Sequence, residues 1–346
     1  MKRIGNLYEK IISLENLHLA DEKARRGKAN TYGVRFHDRN REANIIALHE
    51  MLRTKSFRNS EYETFTIFEP KEREIFRLPY YPDRILHHAI MNVLEPIWVS
   101  IFTTDTYSCI KKRGIHGAMR KVKQAMKDRE NTRYCLKIDV RKFYPSIDHD
   151  VLKSIVRKKI KCKDTLWLLD EIIDSAAGVP IGNYLSQYFA NLYLAYFDHW
   201  VKEVKKVKYY FRYADDMVFL ASSKEELHRL LADIREYMKD LKLNLKGNEQ
   251  VFPIGDNRSD RHGRGLDFIG FVFYHNQTLI RKSIKQNFCR AAAKWNRKAN
   301  VKLEDYRQAL CSWFGWAKYS NSRHYLLKTI LKAEFYDTCV LRHKAA

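Results

Sequence analysis

The chain has 346 residues, 45% of them hydrophobic and 30% charged, which is enough apolar material for a sizeable core. Lys and Arg total 64 against 41 Asp and Glu, and the net charge of +23 favours a nucleic-acid partner, with a merely solvated basic surface as the alternative. The sequence lacks a signal-peptide core, an apolar run of the roughly 18 residues that span a membrane, and a C-x-x-C pair, so we expect a cytoplasmic protein without membrane contact.

The N-terminal part, residues 1–58, is predicted to be helical and basic, because a helical apolar period runs through IIALHEMLRTKSF (45–57). Two β-prone runs, TFTIFEP (64–70) and EIFRLPY (74–80), are separated by charged residues and predict a hairpin with a basic tip. An apolar helix is predicted over 84–98, ending near Pro96.

In the middle of the chain, stretches with the apolar pattern of strands alternate with stretches that have the apolar period of helices. The spacing predicts strands at 133–140, 208–213 and 217–221, and helices at 148–160, with Asp148 as N-cap, and at 186–201.

Ser223 and Glu226 form a capping-box signature before another amphipathic helix. The stretch 265–282 predicts a second hairpin, and from Ser283 onward the pattern is helical, basic and rich in Trp and Tyr. Helices at both ends and an antiparallel hairpin in the centre indicate an α+β fold.

Acidic residues end apolar strands in two places. Asp139 ends CLKID, and Asp215 and Asp216 lie in the turn between two strands. Each alone is typical of an ordinary strand end or turn. Three such charges brought together would repel one another unless a divalent cation joined them, and magnesium prefers hard oxygen ligands. The combination therefore predicts a two-metal site for phosphoryl chemistry.

The loop GVPIGNYLSQ (178–187) lies between these acids in the sequence and leads into an apolar helix. Gly178, Pro180 and Gly182 give its backbone an unusual path that permits close approach to a ligand. An ordinary strand–loop–helix connection is the alternative interpretation.

Three segments, in order and spacing, resemble motifs A, B and C of reverse transcriptases: YCLKIDVRKFYPSID (134–148), GVPIGNYLSQYFAN (178–191) and YFRYADDMVF (210–219). The resemblance implies a right-hand polymerase that copies RNA into DNA. It further implies a helical extension at 1–58, fingers and palm at 59–282, and a helical thumb at 283–346.

The resemblance also implies roles for the acidic residues. Asp139 and Asp215 would bind two Mg²⁺ ions directly, the carbonyl of Val140 would reach a metal, and Asp216 would support them. Lys246 resembles a general acid for the leaving pyrophosphate.

Four further residues resemble the parts of such enzymes that hold the incoming dNTP. Tyr144 resembles the bulky gate that excludes a ribose 2′-hydroxyl, with Phe143 as its core neighbour, although the register could exchange the two. Lys71 and Arg73 resemble the basic pair that grips the triphosphate, for which a guanidinium fork and a point charge are suited. A charged hairpin tip is the alternative for this pair.

Motif B departs from the common Gln-Gly and Ser-Pro pairs, because it reads Ile181-Gly182 and Ser186-Gln187. This form resembles the reverse transcriptases of diversity-generating retroelements, which copy a template-repeat RNA with errors at adenines. Ile181 cannot form the hydrogen bonds of an amide, which provides a physical reason for lost discrimination.

This subtype implies a set of partners for the chain. They are a structured template RNA, an RNA–DNA hybrid, dNTPs and an oligomeric accessory variability protein. The alternatives are an antiphage-defence or retron-type reverse transcriptase, or a non-catalytic RNA-binding protein.

Overall fold

The computed structural model describes residues 2–68, 72–298, 301–322, 324, 325 and 329. The described helices are α1 Tyr8–Ile12, α2 Leu14–Ala24, α3 Tyr32–Asp38, α4 Arg41–Arg53, α5 Ile85–Val99, α6 Gly114–Ala125, α7 His149–Lys159, α8 Lys163–Ile173, α9 Ser186–Tyr193, α10 Ala195–His199, α11 Lys224–Asp240, α12 Lys282–Asn296 and α13 Leu303–Lys318. The described strands are β1 Glu63–Ile67, β2 Arg73–Arg77, β3 Tyr134–Asp139, β4 Tyr209–Tyr213, β5 Asp216–Ala221, β6 Gln250–Pro253, β7 Leu266–Phe268, β8 Phe271–Phe273 and β9 Thr278–Ile280.

The chain divides into two compact units, each built from separate stretches of sequence. Unit 1 consists of Met1–Ile110, Asp139–Lys206 and Asp233–Gly247, and unit 2 of Lys111–Ile138, Val207–Ala232 and Asn248–Ala346. These two units divide the chain differently from the expected extension (1–58), fingers and palm (59–282) and thumb (283–346). Those boundaries stay a prediction.

Unit 1 is mainly helical and is organised around α5. This helix is apolar on most of its circumference and buries Ile85, Leu86, Ile90 and Leu94 completely. A helix with apolar residues on all sides is stable only in a core, and α2 packs along it. α5 also continues through Pro96 to Val99, slightly beyond the predicted end, and Ser100 donates its N–H to the Pro96 carbonyl.

Unit 1 also contains the β1–β2 hairpin, which is antiparallel with Phe65 opposite Ile75. Every residue of β1 is exposed, so the hairpin projects from the helices instead of packing in their core. The predicted hairpin is confirmed, and its tip, which includes Lys71, lies outside the described residues.

Unit 2 contains a sheet with the strand order β4–β5–β3–β6, in which β4 is antiparallel to β5 and β3 to β6. The aromatic rings of Tyr210 and Phe219 stack across the β4–β5 pair, with centroids 4.8 Å apart. The predicted α+β class, with an antiparallel hairpin in the centre of the chain, is confirmed.

The C-terminal part of unit 2 pairs β7, β8 and β9 into an antiparallel sheet beside α12 and α13. The predicted hairpin over 265–282 is therefore wrong in strand number, because β9 adds a third strand. Phe288, Tyr306 and Leu310 are buried between the two helices, and Trp316 packs 5.0 Å from Phe271.

The single helix predicted over 186–201 is also wrong. α9 ends at Tyr193, α10 begins at Ala195, and a π-helical turn follows over Trp200–Val204. No Gly or Pro marks the interruption at Leu194, so the sequence carried no signal of it.

Among the described residues, no helix combines the length and apolar character needed to cross a membrane.

Candidate active site

Asp139 is the last residue of β3, where the strand leaves its sheet. Its carboxylate Oδ2 accepts a hydrogen bond from Lys246 Nζ at 2.7 Å, and its carbonyl accepts the Lys246 N–H at 3.0 Å. Val140 follows with a buried side chain and forms a bridge to Leu245. Lys246 therefore fixes both the backbone and the side chain of Asp139, within unit 1.

Asp215 lies in the tight turn between β4 and β5, in unit 2. Tyr213 pairs with Asp216, so Ala214 and Asp215 form a two-residue loop. Ala214 has a φ of +56°, which is uncommon for a residue with a Cβ. The buried Arg212 donates from a guanidinium nitrogen to the Ala214 carbonyl at 3.1 Å, which stabilises this strained turn.

Lys137 is a functional candidate that the sequence interpretation did not include. Its ammonium lies 3.4 Å from the carboxylate of Asp216 and donates to the Asp267 carbonyl at 2.6 Å. Alternate residues of a strand point to the same face, so Lys137 and Asp139 share one face of β3. A lysine two residues before the first acid was the available signal.

The two aromatic residues after Asp139 have different environments. Phe143 is 2% exposed and belongs to the core, whereas Tyr144 is partly exposed and meets Phe143 edge-on at 5.7 Å. The Tyr144 carbonyl accepts the N–H of Val179 at 2.9 Å. Tyr144 is thus the more accessible of the two rings, and its carbonyl joins motif A to the loop of motif B.

Gly178 and Gly182 are required by the close packing of the motif B loop. Gly178 has a φ of +62°, and a Cβ there would lie 2.6 Å from the Tyr144 carbonyl oxygen. Gly182 has a φ of +112°, and a Cβ there would lie 2.5 Å from the Phe76 carbonyl oxygen. A side chain at either position would clash with backbone, which cannot move aside cheaply.

The remaining residues of this loop are held by hydrogen bonds within unit 1. Ser186 is buried, and its hydroxyl donates to the Pro180 carbonyl at 2.6 Å. The Ile181 carbonyl accepts the N–H of Phe76 in β2 at 2.8 Å. The Ile181 side chain is partly exposed and Gln187 is exposed. The loop is thus tied to the β1–β2 hairpin through its backbone.

Arg73 is the first residue of β2, is exposed, and pairs with Ile67. Farther along the hairpin, the guanidinium of Arg77 lies 2.5 Å from the Glu63 carboxylate, so this cation is already neutralised. Arg73 is therefore better placed than Arg77 to meet an incoming anion.

Within the described residues, no group of three His, Cys, Asp or Glu side chains is arranged to hold a metal ion. Asp139 and Asp216 instead lie against Lys246 and Lys137, respectively. The donor set of the motifs nevertheless fits magnesium, because it consists of hard carboxylate and carbonyl oxygens.

A family model described as "Reverse transcriptase (RNA-dependent DNA polymerase)" matches residues 70–252. Protein YkfC of Escherichia coli strain K12 is 25% identical over 265 residues, covering 62% of this chain and 66% of that protein. The group II intron-encoded protein LtrA of Lactococcus lactis subsp. cremoris is 24% identical over 139 residues, covering 37% of this chain and 23% of that protein. This chain thus spans at most 66% of either relative.

Among solved structures, the chain is similar to a telomerase from Candida tropicalis in complex with a fragment of telomeric RNA. The sequence identity is 11% and the TM-score is 0.48, and the match covers 82% of this chain and 64% of that one.

Proposed function

We propose, from the premise that this chain belongs to the reverse transcriptase family, that it is an RNA-directed DNA polymerase. The motif C turn carries the proposal: it holds Asp215 and Asp216 between β4 and β5, and β3 is the neighbour of β5 in the same sheet. Lys137 shares a strand face with Asp139 and lies 3.4 Å from Asp216. The ammonium beside Asp216 shows that a carboxylate of this turn can stabilise a positive charge, which supports cation binding by the turn.

Asp139, Asp215 and the Val140 carbonyl are proposed to bind two magnesium ions, with Asp216 in a supporting position. Bound there, the ions would activate the primer 3′-hydroxyl and stabilise the leaving pyrophosphate oxygen. The ammonium of Lys246, 2.7 Å from Asp139, is proposed to donate a proton to pyrophosphate.

The incoming dNTP is proposed to lie between the fingers hairpin and motif A. Lys71 and Arg73 would bind its triphosphate, because both can donate to phosphate oxygens. The partly exposed ring of Tyr144 would collide with a ribose 2′-hydroxyl, so the product would be DNA.

The proposal is tested by primer extension on an RNA template with the double variant Asp215→Ala, Asp216→Ala. We expect magnesium-dependent DNA synthesis to be lost while RNA affinity is kept, because the change removes metal ligands and leaves the basic surface unchanged. Glu225→Ala, at an exposed acid in the first turn of α11, is the matched control and should extend the primer normally. Synthesis by the double variant at the parent's rate would rule out this site.

We further propose that the chain is of the diversity-generating type and copies a template-repeat RNA with errors at adenines. Ile181 supports this, because its side chain has no donor or acceptor and its backbone is fixed to β2 through the Phe76 N–H. A pocket without an amide at this point constrains base-pair geometry less. An oligomeric accessory variability protein would then be a partner.

Sequencing of cDNA made by Ile181→Gln tests this mechanism. We expect fewer errors opposite adenine, because the amide restores a polar constraint. Ile181→Leu is the matched apolar control and should keep the parent's error pattern. An unchanged adenine error frequency in Ile181→Gln would refute the role given to Ile181.

A further inference from the structure

Two large aromatic side chains are exposed side by side on α3, in the N-terminal part of unit 1. Tyr32 is 80% exposed and Phe36 57%, and their rings stack with centroids 6.0 Å apart and an interplanar angle of 23°. The guanidinium of Arg39 lies over the Phe36 ring, 5.7 Å from its centroid. These residues form a continuous surface, which we name the α3 aromatic face.

The opposite side of α3 already fixes this helix to the rest of unit 1. Val34 and His37 are fully buried, and the His37 ring stacks on Tyr81 with centroids 5.6 Å apart. Gly33 permits the close approach, since a Cβ there would lie 3.0 Å from Tyr80 Cβ. The α3 aromatic face is therefore not needed to hold the helix, and it remains accessible for a partner.

Two cations, Arg35 at the middle of α3 and Arg39 at its C-cap, lie on the same helix as these rings. Among the described residues, no carboxylate forms an ion pair with Arg35 or Arg39, and both are exposed. The nearby Arg25 differs, because it is paired with Asp21 and Asp38.

We propose that the α3 aromatic face binds single-stranded RNA, with bases stacked on Tyr32 and Phe36 and phosphates held by Arg35 and Arg39. Proteins that bind single-stranded RNA without sequence preference use exposed aromatic rings beside cationic side chains. The rings stack on the bases, all of which have a π-face, and the cations bind the phosphates. An apolar protein partner would leave these cations unpaired. The proposal rests on the proposed function, in which the RNA is template that has not yet been copied.

The test compares the parent with Tyr32→Ala, Phe36→Ala in two assays. Fluorescence anisotropy measures affinity for a labelled, unstructured RNA oligonucleotide, and primer extension uses templates with a short or a long single-stranded 5′ overhang. Loss of stacking costs about 1–3 kcal/mol per base, so we expect RNA affinity to fall at least about fivefold. The KM for the long-overhang template should rise, while extension on the short-overhang template is unchanged.

Three controls separate stacking from other effects. Tyr32→Phe, Phe36→Tyr keeps both rings and should bind RNA like the parent, and Ile46→Ala removes an exposed apolar side chain from α4 and should change nothing. Arg35→Glu, Arg39→Glu should weaken RNA binding and flatten its salt dependence. All are surface changes, and circular dichroism will check that each variant is folded.

RNA affinity of the Tyr32→Ala, Phe36→Ala variant equal to the parent's would overturn the proposal. So would a change confined to the oligomeric state of the protein, since this would assign the face to a protein partner. Failure of the parent itself to extend the short-overhang template would instead overturn the proposed function, so the two failures are distinguishable.

Discussion

Single residues of the candidate site are constrained mainly by backbone contacts. The loop of motif B contacts motif A through the Val179 N–H and the β1–β2 hairpin through the Ile181 carbonyl, so its path is fixed from two sides. Gly178 and Gly182 occupy the points of closest approach. A residue with a Cβ at these points must either strain its own backbone or displace a neighbouring carbonyl.

Gly182→Ala should therefore impair both folding and synthesis. A positive φ of this size costs an L-residue about 1–3 kcal/mol, and the added Cβ would lie 2.5 Å from the Phe76 oxygen. We expect a lower melting temperature by circular dichroism and a higher KM for dNTP in primer extension. Gly315→Ala is the matched control, because a Cβ there meets nothing within 4 Å and helix propensity favours it by up to about 1 kcal/mol. Equal behaviour of the two variants would contradict this account.

At the scale of elements, local signals predicted the helices and strands whose ends carry a chemical marker. Asp148 caps α7 by accepting the Val151 N–H at 3.0 Å, and Ser223 accepts the Glu226 N–H at 3.1 Å before α11, both as expected. The break at Leu194 and the strand β9 were not foreseen, because no Gly, Pro or cap marks the first and only pairing with β8 defines the second. Lys137 was missed although it lies two residues before Asp139, because its partners Asp216 and Asp267 are distant in sequence.

The N-terminal helices are joined by one buried carboxylate. Asp21 in α2 is fully buried, and it accepts from Arg41 at 2.6 Å and from Arg25 at 2.7 Å, as well as from the Tyr80 hydroxyl. Burial alone would raise the pKa of Asp21, but its interactions with His37, Tyr80 and Arg25 outweigh burial and hold the pKa well below its usual range. α2, α3 and α4 therefore depend on this ionised group.

Asp21→Asn is predicted to destabilise unit 1 by about 3–5 kcal/mol, because it leaves two guanidinium groups facing a neutral amide. Urea unfolding followed by circular dichroism measures the effect. Glu50→Gln is the control, since it removes an exposed ion pair with Arg53 on the surface of α4 and should not change the midpoint detectably. A midpoint for Asp21→Asn equal to the parent's would show that the buried carboxylate does not hold these helices together.

For the whole molecule, the motif acids are divided between the two units. Asp139 belongs to unit 1, and Asp215 and Asp216 belong to unit 2, because the chain passes from one unit to the other within the β3 strand. The net charge of +23 attracts polyanions over long distances, which supports the proposed RNA template as a partner.

The most direct test of the metal-site proposal is the rate of magnesium-dependent primer extension by Asp139→Asn, with RNA affinity measured in parallel. Asparagine keeps the size of the side chain but removes its charge. The account predicts a rate lower by on the order of a thousandfold, as when a group that stabilises developing charge is lost, with RNA affinity unchanged. Extension by Asp139→Asn at the parent's rate would contradict it.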